Sequence, residues 1–161
     1  MRFKKIDIGR QGNFLFSLLL IHFLFFGYLS NVYINNIPEN SIGDGILFLY
    51  KVMFNPYSFL SAIILFLIIF IMTFRETFYE YGMRNSLWTI PFIIVESWIW
   101  YWFINGFNIA LIGVYFIQIE SYLTILSLLA LILSASFLGA MAKVRYKAFK
   151  EKALKLPTIE L

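Results

Sequence analysis

The apolar positions of this chain fall into four long runs. From about Asn13 to Ile34 there is no Lys, Arg, Asp or Glu, and the same holds from about Tyr57 to Phe74 and from about Tyr122 to Ala142. The run from about Leu87 to Ile104 carries one carboxyl, Glu96. A hydrocarbon core about 30 Å thick is crossed by ~20 residues of helix rising ~1.5 Å each. The pattern therefore predicts an all-α integral membrane protein. Its four-helix transmembrane domain covers 13–142, with helices at about 13–34, 57–74, 87–104 and 122–142. A basic segment, 1–12, precedes this domain and a basic tail, 143–161, follows it. The first run has the basic flank of a signal peptide (Arg2, Lys4, Lys5, Arg10). Its apolar stretch is too long for one, and Asn31, Asn35, Asn36 and Pro38 stand where a small-residue cleavage site belongs. An uncleaved first helix is expected.

The connecting segments are uneven. Turn signals open the first one at Asn35-Asn36, Pro38 and Gly43-Asp44-Gly45. The apolar stretch Ile46 to Phe54 is too short to span, and is expected as a helix or capping segment along the outer interface. Asn55-Pro56 then opens the second span. That span is expected to run a turn or two beyond Phe74 and to end at Gly82 or Asn85-Ser86. It thus presents Arg75, Glu76, Glu80 and Arg84 as a charged patch, with Glu80 and Arg84 at paired helical spacing. Such a patch reads as a solvated helix end whose ion pairs each contribute ~0.3–0.5 kcal/mol, or as a contact for a partner subunit or anionic ligand. The last connection, Asn105 to Ser121, is interrupted by Gly106, Asn108, Gly113 and Gln118. It is expected as a re-entrant or interfacial stretch, or as an extension of the third helix. Non-helical backbone at membrane depth must be buried in protein.

Charge sets the orientation. With the N-terminus inside, twelve of the thirteen Lys and Arg fall on the inner side and only Lys51 lies outside. Positive-inside asymmetry then predicts both termini in the cytoplasm of a multi-pass plasma-membrane protein. Trp98, Trp100, Tyr101 and Trp102 near the outer end of the third run, and Trp88 at its inner end, suit the two headgroup levels. Only 14% of the 161 residues are charged against 61% hydrophobic, whereas soluble domains carry about 25% charge. The net charge of +4 sits beside the spans, where anionic headgroups attract it. It predicts lipids, not nucleic acid, as partners. With no Cys and one His, the chain is expected to hold no metal site and no cofactor of its own.

The chemistry inside the membrane rests on Glu96 and His22. A central carboxyl costs at least ~2.5–3.5 kcal/mol, so it must face the bundle or a cavity. His22 lies near the same depth in the first helix. A contact between them relays protons, binds the carbonyl or hydroxyl of a quinone, or serves as interhelical hydrogen-bond glue. Trp100, four residues beyond Glu96, shares its helix face at about 100° per residue, while Trp98 does not. In the fourth helix Ala135 and Gly139 have small-xxx-small spacing, the mark of a close packing face. Its serines lack a nucleophile elbow and a histidine on their own helix, and are not read as catalytic.

The long first outer loop, Asn55-Pro56 opening the second helix, Arg84 after it, and small residues in a fourth helix ending near Gly139 carry a resemblance. Over about residues 13–146 the chain resembles the DoxD/DoxX-like family of small four-helix membrane proteins. One member is the small subunit of thiosulfate:quinone oxidoreductase. The resemblance implies a membrane subunit that works with quinone and a sulfur-oxidising partner. This chain departs from the family pattern in a glycine-poor first helix, Phe70 in place of an acid, and the ending Gly139-Ala140-Met141-Ala142-Lys143. No site residue is carried over. From the residues themselves, the expectation is a small subunit of a larger membrane complex, respiratory or redox and quinone-facing, bound to other membrane subunits. An ion-coupled transporter using Glu96, or an assembly factor without a ligand, are the alternatives.

Overall fold

The computed structural model describes residues 8–36, 48–54, 59–76 and 78–154, and among these every regular element is a helix. Helix α1 covers 8–36, regular from Ile8–Leu20, widened to a π-turn over Ile21–Phe26, and regular again over Gly27–Asn36. The others are α2 Phe48–Met53, α3 Phe59–Arg75, α4 Tyr79–Asn105, α5 Ala110–Tyr115 and α6 Ile119–Leu154. Three helices are long and apolar enough to cross a membrane, over Gln11–Val32, Glu80–Asn105 and Ile119–Ala153; α3 is apolar but, at 17 residues, shorter.

Helix α3 is the hub, packing against α1, α4 and most extensively α6. The start of α1, the end of α3, the start of α4 and the last third of α6 lie together. Asn13 meets Glu76, Phe74 meets Tyr146, and Gly82 lies against Thr73. This is the basic end of the molecule; the opposite end carries Trp98, Trp100 and Trp102. The core is a column of Ile21, Phe25, Phe26, Leu29, Leu65, Ile69, Met72, Ile93, Leu128 and Ile132. The outward faces carry exposed Leu, Ile and Phe along α1, α3, α4 and α6, as helices do whose surroundings are as apolar as their core.

Small residues set how closely the hub packs. A Cβ placed on Gly139 of α6 would stand 2.8 Å from the Phe70 carbonyl oxygen of α3, and one on Gly82 of α4 would stand 2.8 Å from Thr73 Cγ2. Ala135 and Ser136 are fully buried beside this contact. Three hydroxyls from three helices meet there: Thr73 donates to Ser136 at 3.3 Å and Ser86 donates to Ser136 at 3.1 Å. The Ser86 hydroxyl also lies 2.7 Å from the Met83 carbonyl.

Several boundaries differ from the sequence expectation. The second long helix does not continue through Gly82. It stops at Arg75, and Phe78 is extended (φ −115°, ψ 127°) before α4 starts at Tyr79. Glu80, Gly82, Arg84, Asn85 and Ser86 therefore belong to the first turns of α4. The reversal can be this tight because Gly82 has no side chain to keep α4 away from Thr73. The expected charged patch is consequently dispersed. Arg75 lies over the Phe16 ring at 5.8 Å, Arg84 over the Tyr81 ring at 4.9 Å, and Glu76 is only 4% exposed and accepts a 3.1 Å hydrogen bond from Asn13. Among the described residues no ion pair joins Glu80 to Arg84.

The third apolar helix ends at Asn105, where Gly106 (φ 90°) takes a conformation that favours glycine, and does not extend through 105–121. The fourth starts at Ile119 and runs to Leu154, so residues 143–154 of the expected tail are helical. The capping segment is the short helix α2, whose Leu49 is 1% exposed within the core. Asn55-Pro56, Pro38, Gly43-Asp44-Gly45 and residues 155–161 lie outside the described residues.

Candidate functional site

Halfway along α1 the chain spends an extra residue on a turn. Such π-turns are rare and recur at functional sites. His22 is its second residue. Glu96 sits two turns before the end of α4, on the face toward α1, and the two side chains meet with His22 Nδ1 2.8 Å from Glu96 Oε2. The carboxyl is 13% exposed and the imidazole 32%. When Nδ1 carries the proton it donates to the carboxylate, which fixes the ring and leaves Nε2 as the unprotonated nitrogen. When the carboxyl carries the proton, its O–H donates to Nδ1 instead. Either arrangement makes one unit that shares a proton.

Trp100, one turn beyond Glu96, completes the surroundings. Its ring centroid is 5.4 Å from that of His22, and Phe26 stacks on it at 6.4 Å with the planes 9° apart. Phe23 meets His22 edge-on at 4.8 Å. The Trp100 Nε1 atom is buried and has no hydrogen-bond partner. A buried N–H left unpaired costs roughly 1–3 kcal/mol. The group thus offers one fixed N–H from Trp100, one imidazole nitrogen that gives or takes a proton, and flat aromatic walls. That set suits a flat molecule with a carbonyl or hydroxyl oxygen.

Below the pair, toward the basic end, α1 and α4 leave an open apolar groove of about 410 Å³ lined by Phe14, Leu18, Trp88, Pro91, Phe92 and Val95. Leu18 precedes His22 by four residues and Phe92 precedes Glu96 by four, so groove and pair share one helix seam. Trp98 points elsewhere, packing edge-on against Tyr115 at 5.6 Å and Phe116 at 6.1 Å. Burial pushes the Tyr115 hydroxyl up to about 12.

Three features of the surroundings escape sequence reasoning: the π-turn under His22, the buried Asn13–Glu76 contact and the hydroxyl junction at Ser136. The only hint of the last two was a polar residue at an apolar helix position. Among the described residues no cluster of potential metal ligands occurs. No family model, no curated protein and no solved structure matches the chain.

Proposed function

We propose that the protein is an integral membrane subunit that crosses the bilayer four times, α3 included, with both termini in the cytoplasm, and that it binds a lipid-soluble quinone at His22, Glu96 and Trp100. The observation that carries this reading is the 2.8 Å His22–Glu96 contact beside the unpartnered Trp100 N–H. A titratable pair at mid-depth is costly and marks proton or ligand paths in membrane proteins. In this reading Trp100 holds one quinone oxygen and His22 Nε2 exchanges a proton with it. Glu96 orients the ring and accepts or returns the proton at Nδ1. Electrons come from a redox partner subunit, and this chain contributes binding, orientation and protons.

Titrating the purified protein with a short-chain quinone should quench Trp100 fluorescence saturably. Trp100→Phe should remove the saturable part. His22→Phe, which deletes the proton-exchanging nitrogen, should raise Kd about ten-fold or more, the scale of a lost charge-assisted hydrogen bond. Quenching that rises linearly, or that is unchanged in His22→Phe, would remove the quinone from this site.

The topology is tested separately. A reporter fused after Leu161 should be cytoplasmic and one inserted near Ser41 external, following the one-sided distribution of Lys and Arg. An external C-terminus overturns the four-crossing reading.

A further inference from the structure

The groove on the α1–α4 seam does not end in apolar surface. At the basic end it joins a smaller, polar pocket of about 190 Å³ lined by Gln11, Phe14, Arg84 and Asn85. Phe14 lines both spaces, so they are adjoining parts of one seam. Arg84 is exposed, with no carboxylate partner among the described residues; its one recorded contact is the Tyr81 ring at 4.9 Å. Gln11 and Asn85 have no hydrogen bond among those residues either. At ~1.5 Å per residue the stripe runs ~10 Å along α1, from Gln11 to Leu18, and ~16 Å along α4, from Arg84 to Val95. That is close to half of a ~30 Å hydrocarbon core.

We infer that this seam is a binding site for one anionic phospholipid, with its phosphate at Arg84, Gln11 and Asn85 and one acyl chain in the groove between Leu18 and Val95. The inference rests on the reading that α1 and α4 cross a membrane, and not on the quinone. Charge and shape choose the occupant. A guanidinium beside two amide side chains offers a charge and several N–H donors to phosphate oxygens. The adjoining groove is lined by apolar side chains and the Pro91 ring, and its length suits one leaflet. The exposed Trp88, 65% accessible and on the groove wall, lies beside the upper part of the chain. The acyl end stops one turn short of His22, so a bound lipid walls off the near side of the Glu96 pair from other chains.

The test uses the full-length protein in mild detergent with phosphatidylglycerol or phosphatidylcholine of identical chains. Native mass spectrometry should show a first phosphatidylglycerol retained several-fold over phosphatidylcholine. Arg84→Gln should lower that preference about five-fold, the scale of one basic group at an anionic headgroup. Arg145→Gln, in the apolar groove on the opposite side of α4 (Met83, Phe137, Ala140, Met141, Val144), should leave it unchanged. Phosphatidylglycerol with brominated chains should quench the wild type more than brominated phosphatidylcholine does, and Trp88→Phe should erase the difference. Val95→Trp, a change at an outward position that fills the groove, should lower retention without touching the charge. Equal retention of the two lipids, an equal loss in Arg145→Gln and Arg84→Gln, or an unchanged preference in Arg84→Gln overturns the site. The quinone titration is independent, so either reading can fail alone.

Discussion

Gly139→Leu is expected to lower stability in detergent by about 3 kcal/mol or more, while leaving membrane insertion intact. Overpacked side chains cost typically 1–3 kcal/mol when neighbouring side chains can move aside. Here the first obstacle is backbone: a Cβ at 139 meets the Phe70 carbonyl oxygen at 2.8 Å and Thr73 Cβ at 3.2 Å. A carbonyl in the middle of α3 cannot yield without shifting the helix. Separating α3 from α6 would also pull Ser136 away from Thr73 and Ser86, leaving buried hydroxyls unpaired. Gly82→Ala is expected to cost less, because its nearest neighbour is the Thr73 methyl at 2.8 Å. Gly113→Ala is the control, since nothing stands within 4 Å of its added carbon. Thermal unfolding in detergent ranks the three. A Gly139→Leu midpoint equal to that of Gly113→Ala would mean that α3 and α6 do not pack in this way.

Ala135 and Gly139 were legible because small residues four apart in an apolar helix have few other uses. Their partner was not. Nothing in the α3 sequence marks Phe70 or Thr73 as the surface on which Gly139 lands, since that depends on the relative rotation of two helices with apolar residues on every side. The same uniformity hid the reversal between α3 and α4. Hydropathy places a break wherever charges gather, and Arg75, Glu76, Glu80 and Arg84 read as one solvated helix end. The structure turns Glu76 inward to Asn13 and hands Glu80 and Arg84 to the next helix. Asn13 was the missing half of that argument, because an amide at the first turn of an apolar run reads as a boundary marker before its partner is known.

The far end of α6 shows a different limit. The apolar run stops at Ala142, yet Lys143, Arg145, Ala148, Lys150, Glu151 and Ala153 are all good helix formers, and the helix continues to Leu154. The end of a hydrophobic stretch marks where the environment changes, not where backbone hydrogen bonding stops. Lys143 and Tyr146 still pack on Phe74, at 5.4 and 5.9 Å, beyond that point. By contrast, the meeting of His22 and Glu96 needed only depth and cost. Each lies near the middle of its run, and an isolated carboxyl there is too unfavourable to face lipid. What sequence could not supply was the wide turn at Ile21–Phe26, which has no proline or glycine within it to announce a break.

The pair itself yields the second large effect, in which stability and ligand binding part company. His22→Phe should destabilise the protein by about 3 kcal/mol, because it leaves the Glu96 carboxyl, 13% exposed, without the group now 2.8 Å away at mid-depth. Glu96→Leu should cost less, about 1–2 kcal/mol, since a third of the remaining imidazole is already exposed and its surroundings are aromatic. The double variant should recover most of the loss. Replacing both members of a buried polar pair with apolar side chains is often neutral, whereas removing one is not. The three unfolding midpoints in detergent, set against the wild type, give a coupling of about 3 kcal/mol if the contact is as described, and close to zero if the side chains only lie near each other. The quinone titration then decides what the contact is for. If Nε2 and the shared proton bind the ligand, the stable double variant should bind as weakly as His22→Phe. A double variant that is both stable and fully able to bind would leave the pair as structural glue and remove the quinone from this site.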